Sequence, residues 1–197
     1  DQSPNQAYEH PERTQYGEGI IGIFCRFGEQ EGFYQPFIWV DKDWSMIFGH
    51  YMGWPKKLAR VHRTHLNSFN PAMSELGQGA KVSGVVDRMG QRVFRIGVEI
   101  ESEEPGDTIP GFGDRCFMLR HFPAVGPEIP ETRQLLSLKL EGMRVGDAWS
   151  GKPLLEIDDN ANEELDLLRG ARLIGGHVYR QGWTTTASAQ LVHDYSR

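Results

Sequence analysis

The sequence predicts a mainly β protein, built largely from antiparallel strands with only one or two short helices. Three observations carry that expectation. The apolar runs are short and rich in Ile, Val and Phe, and 23 glycines and 11 prolines punctuate them as turns. Residues 81–87 and 91–101 flank Arg88-Met89-Gly90 and form the clearest hairpin in the chain. No internal repeat, low-complexity tract or heptad interrupts this pattern. At 197 residues the chain is long enough to bury a sizeable core as one domain.

Taken in order, residues 1–14 are polar, contain Pro4 and Pro11, and read as a flexible lead-in to a single domain over 15–197. Residues 15–27 carry Ile20, Ile21, Ile23, Phe24 and Phe27 and predict a strand with Glu18 at its start. A polar turn over 28–32 leads to a second strand over 33–40, so the two form a hairpin. Asp43 is placed to cap a short helix over 44–48, ended by Gly49. Residues 58–66 return as a strand, and 67–79 form a loop. In the hairpin over 81–101 the expected inward residues are Val82, Val93, Ile96, Val98 and Ile100. Residues 103–113 hold Pro105, Pro110 and three glycines and predict a long turn or flap. Strands follow over 114–122, 134–149 and 153–157, then an acidic and helical stretch over 158–168. Two strands over 172–181 and 184–192, joined near Gly182, close the chain.

The stretch Gly49-His50-Tyr51-Met52-Gly53-Trp54-Pro55-Lys56-Lys57-Leu58-Ala59 stands out chemically. Two lysines follow a proline, which fixes its own φ and biases Trp54 towards an extended conformation. Trp54 and Leu58 suggest a partly dry setting for the ammonium groups. Burial disfavours a lysine's charge, and a second cation disfavours it again. A free amine can attack a carbonyl to form a Schiff base. An ordinary lysine titrates near ~10.4, leaving about one in 2,500 neutral at pH 7, so activation by ~4 units requires roughly 5 kcal/mol. Against this stands the ordinary reading, in which Lys56, Lys57, Arg60, His62, Arg63 and His65 form only a solvated basic patch. Glu18 by itself reads as a solvated carboxylate at a strand end.

A family resemblance weighs against the ordinary reading. The Gly-Trp-Pro-Lys-Lys-Leu-Ala run over 53–59 resembles the signature of the acetoacetate decarboxylase family, in which the first lysine carries the Schiff base. Tyr16-Gly17-Glu18 before Gly19-Ile20-Ile21-Gly22 resembles the strand that bears an active-site glutamate. Tyr34 to Asp43, Phe117 to Pro123, Trp149-Ser150-Gly151 and Leu191 to Tyr195 are similar to further landmarks, in order. Two departures accompany them. Gly49-His50-Tyr51 stands where the family has Gly-Arg-Glu, and the amino-terminal strands that give the family's pocket an arginine and another glutamate have no clear counterpart here.

The resemblance implies a cone-like antiparallel β-barrel with its site inside, assembled into a homo-oligomer, that works without a cofactor on a small-molecule keto acid. Lys56 is implied as the Schiff-base nucleophile, Lys57 as its charged neighbour and Glu18 as an orienting or proton-relaying group. Activation of such a lysine beside another cation is the established mode in acetoacetate decarboxylase itself, and for this chain it rests on the resemblance alone. Arg120 is a candidate for a substrate carboxylate, because its fork binds carboxylates at two points, although a structural ion pair would use it equally well. His50, Tyr51 and Trp54 complete the substrate-binding candidates. The implied reaction is decarboxylation of a β-keto acid such as acetoacetate. The first alternative is an aldolase or dehydratase that uses the same iminium without decarboxylation, and the second is a non-catalytic ligand-binding barrel.

Composition narrows the partners. A net charge of -6 argues against a general nucleic-acid binder. Cys25 and Cys116 are the only cysteines and lack metal-type spacing, so no zinc site or disulfide framework is expected. No apolar run reaches the ~20 residues that cross a membrane, and no signal peptide opens the chain, which predicts a cytoplasmic protein.

Overall fold

A computed structural model describes residues 4–111, 113–159, 163–185 and 188–196. Its contacts divide the chain into two compact units. One comprises residues 1–58, 112–142 and 183–197, and the other 59–111 and 143–182.

In the first unit, β1 (Glu18–Phe27) and β2 (Gln30–Val40) form the expected antiparallel hairpin. β2 is its central strand, with β1 along one edge. The other edge is shared by two parallel neighbours, β3 (Lys56–Leu58) against Ile38 to Val40 and β7 (Arg115–Phe122) against Phe33 and Tyr34. Burial on both faces explains the unbroken apolar run Ile38-Trp39-Val40, all fully buried. The first part of β8 (Thr132–Ile157) pairs with β7 and with β10 (Gln190–Asp194). Cys116, Met118 and Leu138 form a core cluster against which Met52 and Trp54 pack.

Helix α3 (Asp43–Met52) extends beyond the predicted 44–48. Gly49 lies inside it, and Gly53 ends it in the left-handed conformation, φ 95°. A side chain at Gly53 would also lie 2.7 Å from the backbone nitrogen of Arg120, so close packing on β7 demands glycine there twice over. The polar lead-in contains two short helices, α1 (Pro4–Glu9) and α2 (Pro11–Thr14). The Trp44 indole donates to the Glu12 carbonyl at 3.2 Å, tying α2 to α3.

In the second unit, β4 (Arg60–Arg63), β5 (Lys81–Arg88) and β6 (Gln91–Glu104) pair in succession, and β6 then pairs with the later part of β8. The β5–β6 hairpin turns at Met89 and Gly90, both at positive φ, as a tight two-residue turn requires. Val93 and Ile100 are buried as expected, whereas Ile96 is half exposed. β9 (Gly176–Thr185) pairs with β8 and runs through Gly182 without the expected break. β8 likewise continues through 150–152, where the sequence predicts two strands. The helical expectation over 158–168 reduces to one 3-10 turn at Asp166–Leu168, with residues 160–162 outside the described residues.

The chain is therefore mainly β, but the antiparallel barrel needs revising. The sheet is mixed because β2 has parallel neighbours, and it is open. The strand order β1-β2-β7-β8-β6-β5-β4 has two free ends among the described residues.

Candidate active site

Strand register builds the site. Along β2, Ile38 and Val40 share one face, because alternate residues of a strand point the same way. Glu18 is opposite Val40 on β1, and Lys56 is opposite Ile38 on β3. The two therefore face the same side from strands flanking β2, although they lie far apart in sequence. Their side chains meet: Lys56 Nζ lies 2.9 Å from Glu18 Oε1, and the lysine side chain is only 9% exposed.

Two hydroxyls complete the cluster around the amine. Lys56 Nζ donates to Ser45 Oγ at 3.1 Å and to Tyr16 OH at 3.4 Å. It also lies 5.0 Å from the centre of the Tyr16 ring and 5.7 Å from that of Trp54, within reach of their negative π faces. Tyr16 stands edge-on against Trp44, with ring centres 5.3 Å apart. Next to it, Asp41 fastens the lead into β1. Its Oδ1 accepts from Gly17 N at 3.0 Å, and its own N–H donates to Gly17 O at 3.2 Å.

The other predicted residues fall in different places. The alternation of β3 directs Lys57 to the face opposite Lys56, so this strand does not set the two ammonium groups side by side. His50 Nε2 lies 2.6 Å from the Lys56 carbonyl oxygen. A carbonyl only accepts, so Nε2 carries the proton. Tyr51 is largely exposed at the end of α3. Arg120 is engaged structurally: Nε donates to the Tyr51 carbonyl at 3.2 Å, Nη1 to Gln134 at 3.2 Å, and the guanidinium lies over Phe122. It thus holds the last turn of α3, where unpaired carbonyls attract a cation. Trp54 packs against the Cys116 cluster. Burial pushes the Cys116 thiol up from its ordinary value, which leaves it unreactive there.

Sequence reasoning does not find Tyr16 or Ser45 as members of the site. A signal for Tyr16 exists, since it precedes Glu18 by two residues and so shares its strand parity. Ser45 and Gly49 stand one turn apart and are the buried residues of α3. Only an assigned helix through Gly49 exposes that pairing. Among the described residues no group of three or more His, Cys, Asp or Glu could hold a metal ion, and no helix is long and apolar enough to cross a membrane.

Against known proteins, the sequence model of the acetoacetate decarboxylase family matches residues 3–196. No match was found among curated proteins. An acetoacetate decarboxylase-like enzyme from Sphingomonas wittichii RW1 is similar in structure, with TM-score 0.89 and 28% identity over 98% of this chain and 76% of that one. The enduracididine biosynthesis enzyme MppR, complexed with the condensation product of pyruvate and imidazole 4-carboxaldehyde, gives TM-score 0.83 and 25% identity, over 99% of this chain and 73% of its own. Acetoacetate decarboxylase from Legionella pneumophila shares the fold at TM-score 0.74 and 18% identity, over 91% and 68% of the two chains.

Proposed function

The chain belongs to the acetoacetate decarboxylase family, and on that premise we propose that Lys56 forms a Schiff base with the ketone of a small keto acid. The observation that carries this reading is the nearly enclosed Lys56 amine, with the Glu18 carboxylate at 2.9 Å and the Ser45 hydroxyl at 3.1 Å. Glu18 takes a proton from the ammonium, and the free amine adds to the ketone. The resulting carbinolamine loses its hydroxyl as water, using the proton that Glu18 returns. An iminium remains on Lys56, with Glu18 again a carboxylate beside it.

The groups around the amine favour proton-transfer chemistry at the carbon next to the iminium. Glu18 removes a proton there to give an enamine, which adds to an aldehyde. The aldehyde oxygen takes the proton back from Glu18, which then removes the second proton of that carbon as the new hydroxyl leaves as water with the proton of Tyr16. Glu18 returns its proton to Tyr16, and water hydrolyses the iminium to free the Lys56 amine and an unsaturated keto acid, completing an aldol condensation. Support comes from MppR, whose structure holds a condensation product of pyruvate. Arg120, the arginine the sequence offered for a substrate carboxylate, is committed to α3.

Family membership favours a second reading, decarboxylation of a β-keto acid. Carbon dioxide leaves, its bonding electrons pass into the iminium, and the enamine is protonated and hydrolysed. A homo-oligomer working in the cytoplasm without a cofactor belongs to either version.

Pyruvate in D2O, pyruvate with an aromatic aldehyde, and acetoacetate separate these readings. Exchange of the pyruvate methyl protons together with an unsaturated keto acid product supports condensation. Carbon dioxide release from acetoacetate without either result transfers the assignment to decarboxylation. Inertness towards all three would leave a binding module.

A further inference from the structure

Polar neighbours explain where the Lys56 amine points, but not why its side chain takes that path. Helix α3 provides the path. Ser45 and Gly49 share its buried face, and Ser45 accepts from the amine. At Gly49 an added Cβ would lie 2.5 Å from Lys56 Cδ, 2.8 Å from Cγ and 3.0 Å from Cε. The lysine stem thus runs through space that exists only because position 49 has no side chain. The next residue, His50, donates Nε2–H to the Lys56 carbonyl at 2.6 Å. The same two residues close the helix: Trp54 N–H bonds Gly49 O at 2.9 Å, and Gly53 N–H bonds His50 O at 3.1 Å.

We propose that Gly49 and His50 are positioning residues for Lys56, the glycine setting the course of the stem and the histidine the backbone from which it springs. The inference rests on the reading of Lys56 as the nucleophile and adds the means by which its amine reaches Glu18, Ser45 and Tyr16. Helix stability alone would not choose glycine here. Position 49 is interior to α3, its backbone needs no positive φ, and alanine is the better helix former. What alanine would disturb is the lysine. His50 likewise does not cover a core, since it is exposed and its directed contact is the Lys56 carbonyl.

The test compares wild type, Gly49→Ala, His50→Leu and His50→Gln, the last keeping a side-chain N–H donor of similar reach. One readout is the rate of borohydride reduction of a pyruvate adduct on Lys56. The other needs no substrate: trace acetylation of Lys56 by acetic anhydride across pH, with exposed Lys81 as the reference in the same digest. Gly49→Ala is expected to slow adduct trapping about 100-fold, the scale of a 1 Å misplacement, and His50→Leu about tenfold. Both shift the Lys56 acetylation profile and leave that of Lys81 in place, and His50→Gln recovers most of the loss. Trapping and acetylation like wild type in Gly49→Ala and His50→Leu would overturn the inference, and so would equal losses in His50→Leu and His50→Gln. Should Gly49→Ala fail to fold, the two His50 variants decide the question. A wild type that forms no adduct, while its acetylation profile still shifts in the variants, removes the proposed reaction and keeps the positioning role.

Discussion

Each unit of the molecule holds a cation against a carboxylate, and the two pairs differ where chemistry begins. In the first unit Lys56 meets Glu18 at 2.9 Å, and in the second Arg88 meets Glu163 at 3.0 Å. One partner in each is nearly enclosed, Lys56 at 9% exposure and Glu163 at 1%. Burial and distance therefore do not separate them. The nitrogen does. A guanidinium keeps its proton throughout the accessible pH range and can only hold its partner. An ammonium can release a proton and become a nucleophile, and Lys56 has the hydroxyls of Ser45 and Tyr16 in reach as well. Arg92 repeats the holding pattern, forking onto both Asp158 oxygens at 2.8 Å.

Substitutions sharpen this contrast. Lys56→Met should bring turnover down to the uncatalysed background while the protein remains folded, as circular dichroism would verify. Glu18→Gln should lower kcat by about 10²–10³-fold, because it removes the carboxylate that carries the proton. Persistence of wild-type kcat in that variant would leave the pair without a chemical role. Tyr16→Phe retains the ring against Trp44 and removes the hydroxyl, so a drop of about tenfold in kcat with little change in KM is expected.

The second unit should respond in the opposite sense. Glu163→Gln is expected to cost roughly 3 kcal/mol of stability, read by urea unfolding, with trapping at Lys56 unaltered. The smallest effect concerns Asp158. The Arg92 fork holds its carboxyl below the ordinary value. Its contribution is therefore complete above the range in which the unfolded carboxylate titrates, and it is lost as pH falls through the lower folded value. Asp158→Asn should be modestly less stable than wild type at neutral pH, and the difference should fade on acidification. A gap that widens in acid would contradict this account of the pair.

Much of the site is legible in local sequence, and what is not has physical causes. Trp54-Pro55-Lys56 and the strand start at Glu18 lie in short local stretches, but it is the family resemblance of those stretches, and not their local pattern, that singles out Lys56 and Glu18. The β1–β2 and β5–β6 hairpins are similarly local. Lys57 reads as an adjacent charge in the sequence, but neighbours in sequence become opposites once a strand forms. Arg120 looks free to bind substrate because the helix end it serves lies 69 residues earlier. Gly49 looks like a helix stop because glycine usually is one, and here its absent side chain serves Lys56 instead. The parallel pairing of β3 and β7 with β2, a property of long-range contacts, is beyond any local signal.

The most direct test is borohydride reduction in the presence of pyruvate or acetoacetate, followed by peptide mass mapping. A substrate-derived mass fixed on Lys56, absent from Lys57 and lost in Lys56→Met, is the predicted result. Intact wild-type protein that yields no adduct on Lys56 with either keto acid would contradict the claim that this pair performs chemistry, and would put it beside Arg88–Glu163 as a fastening.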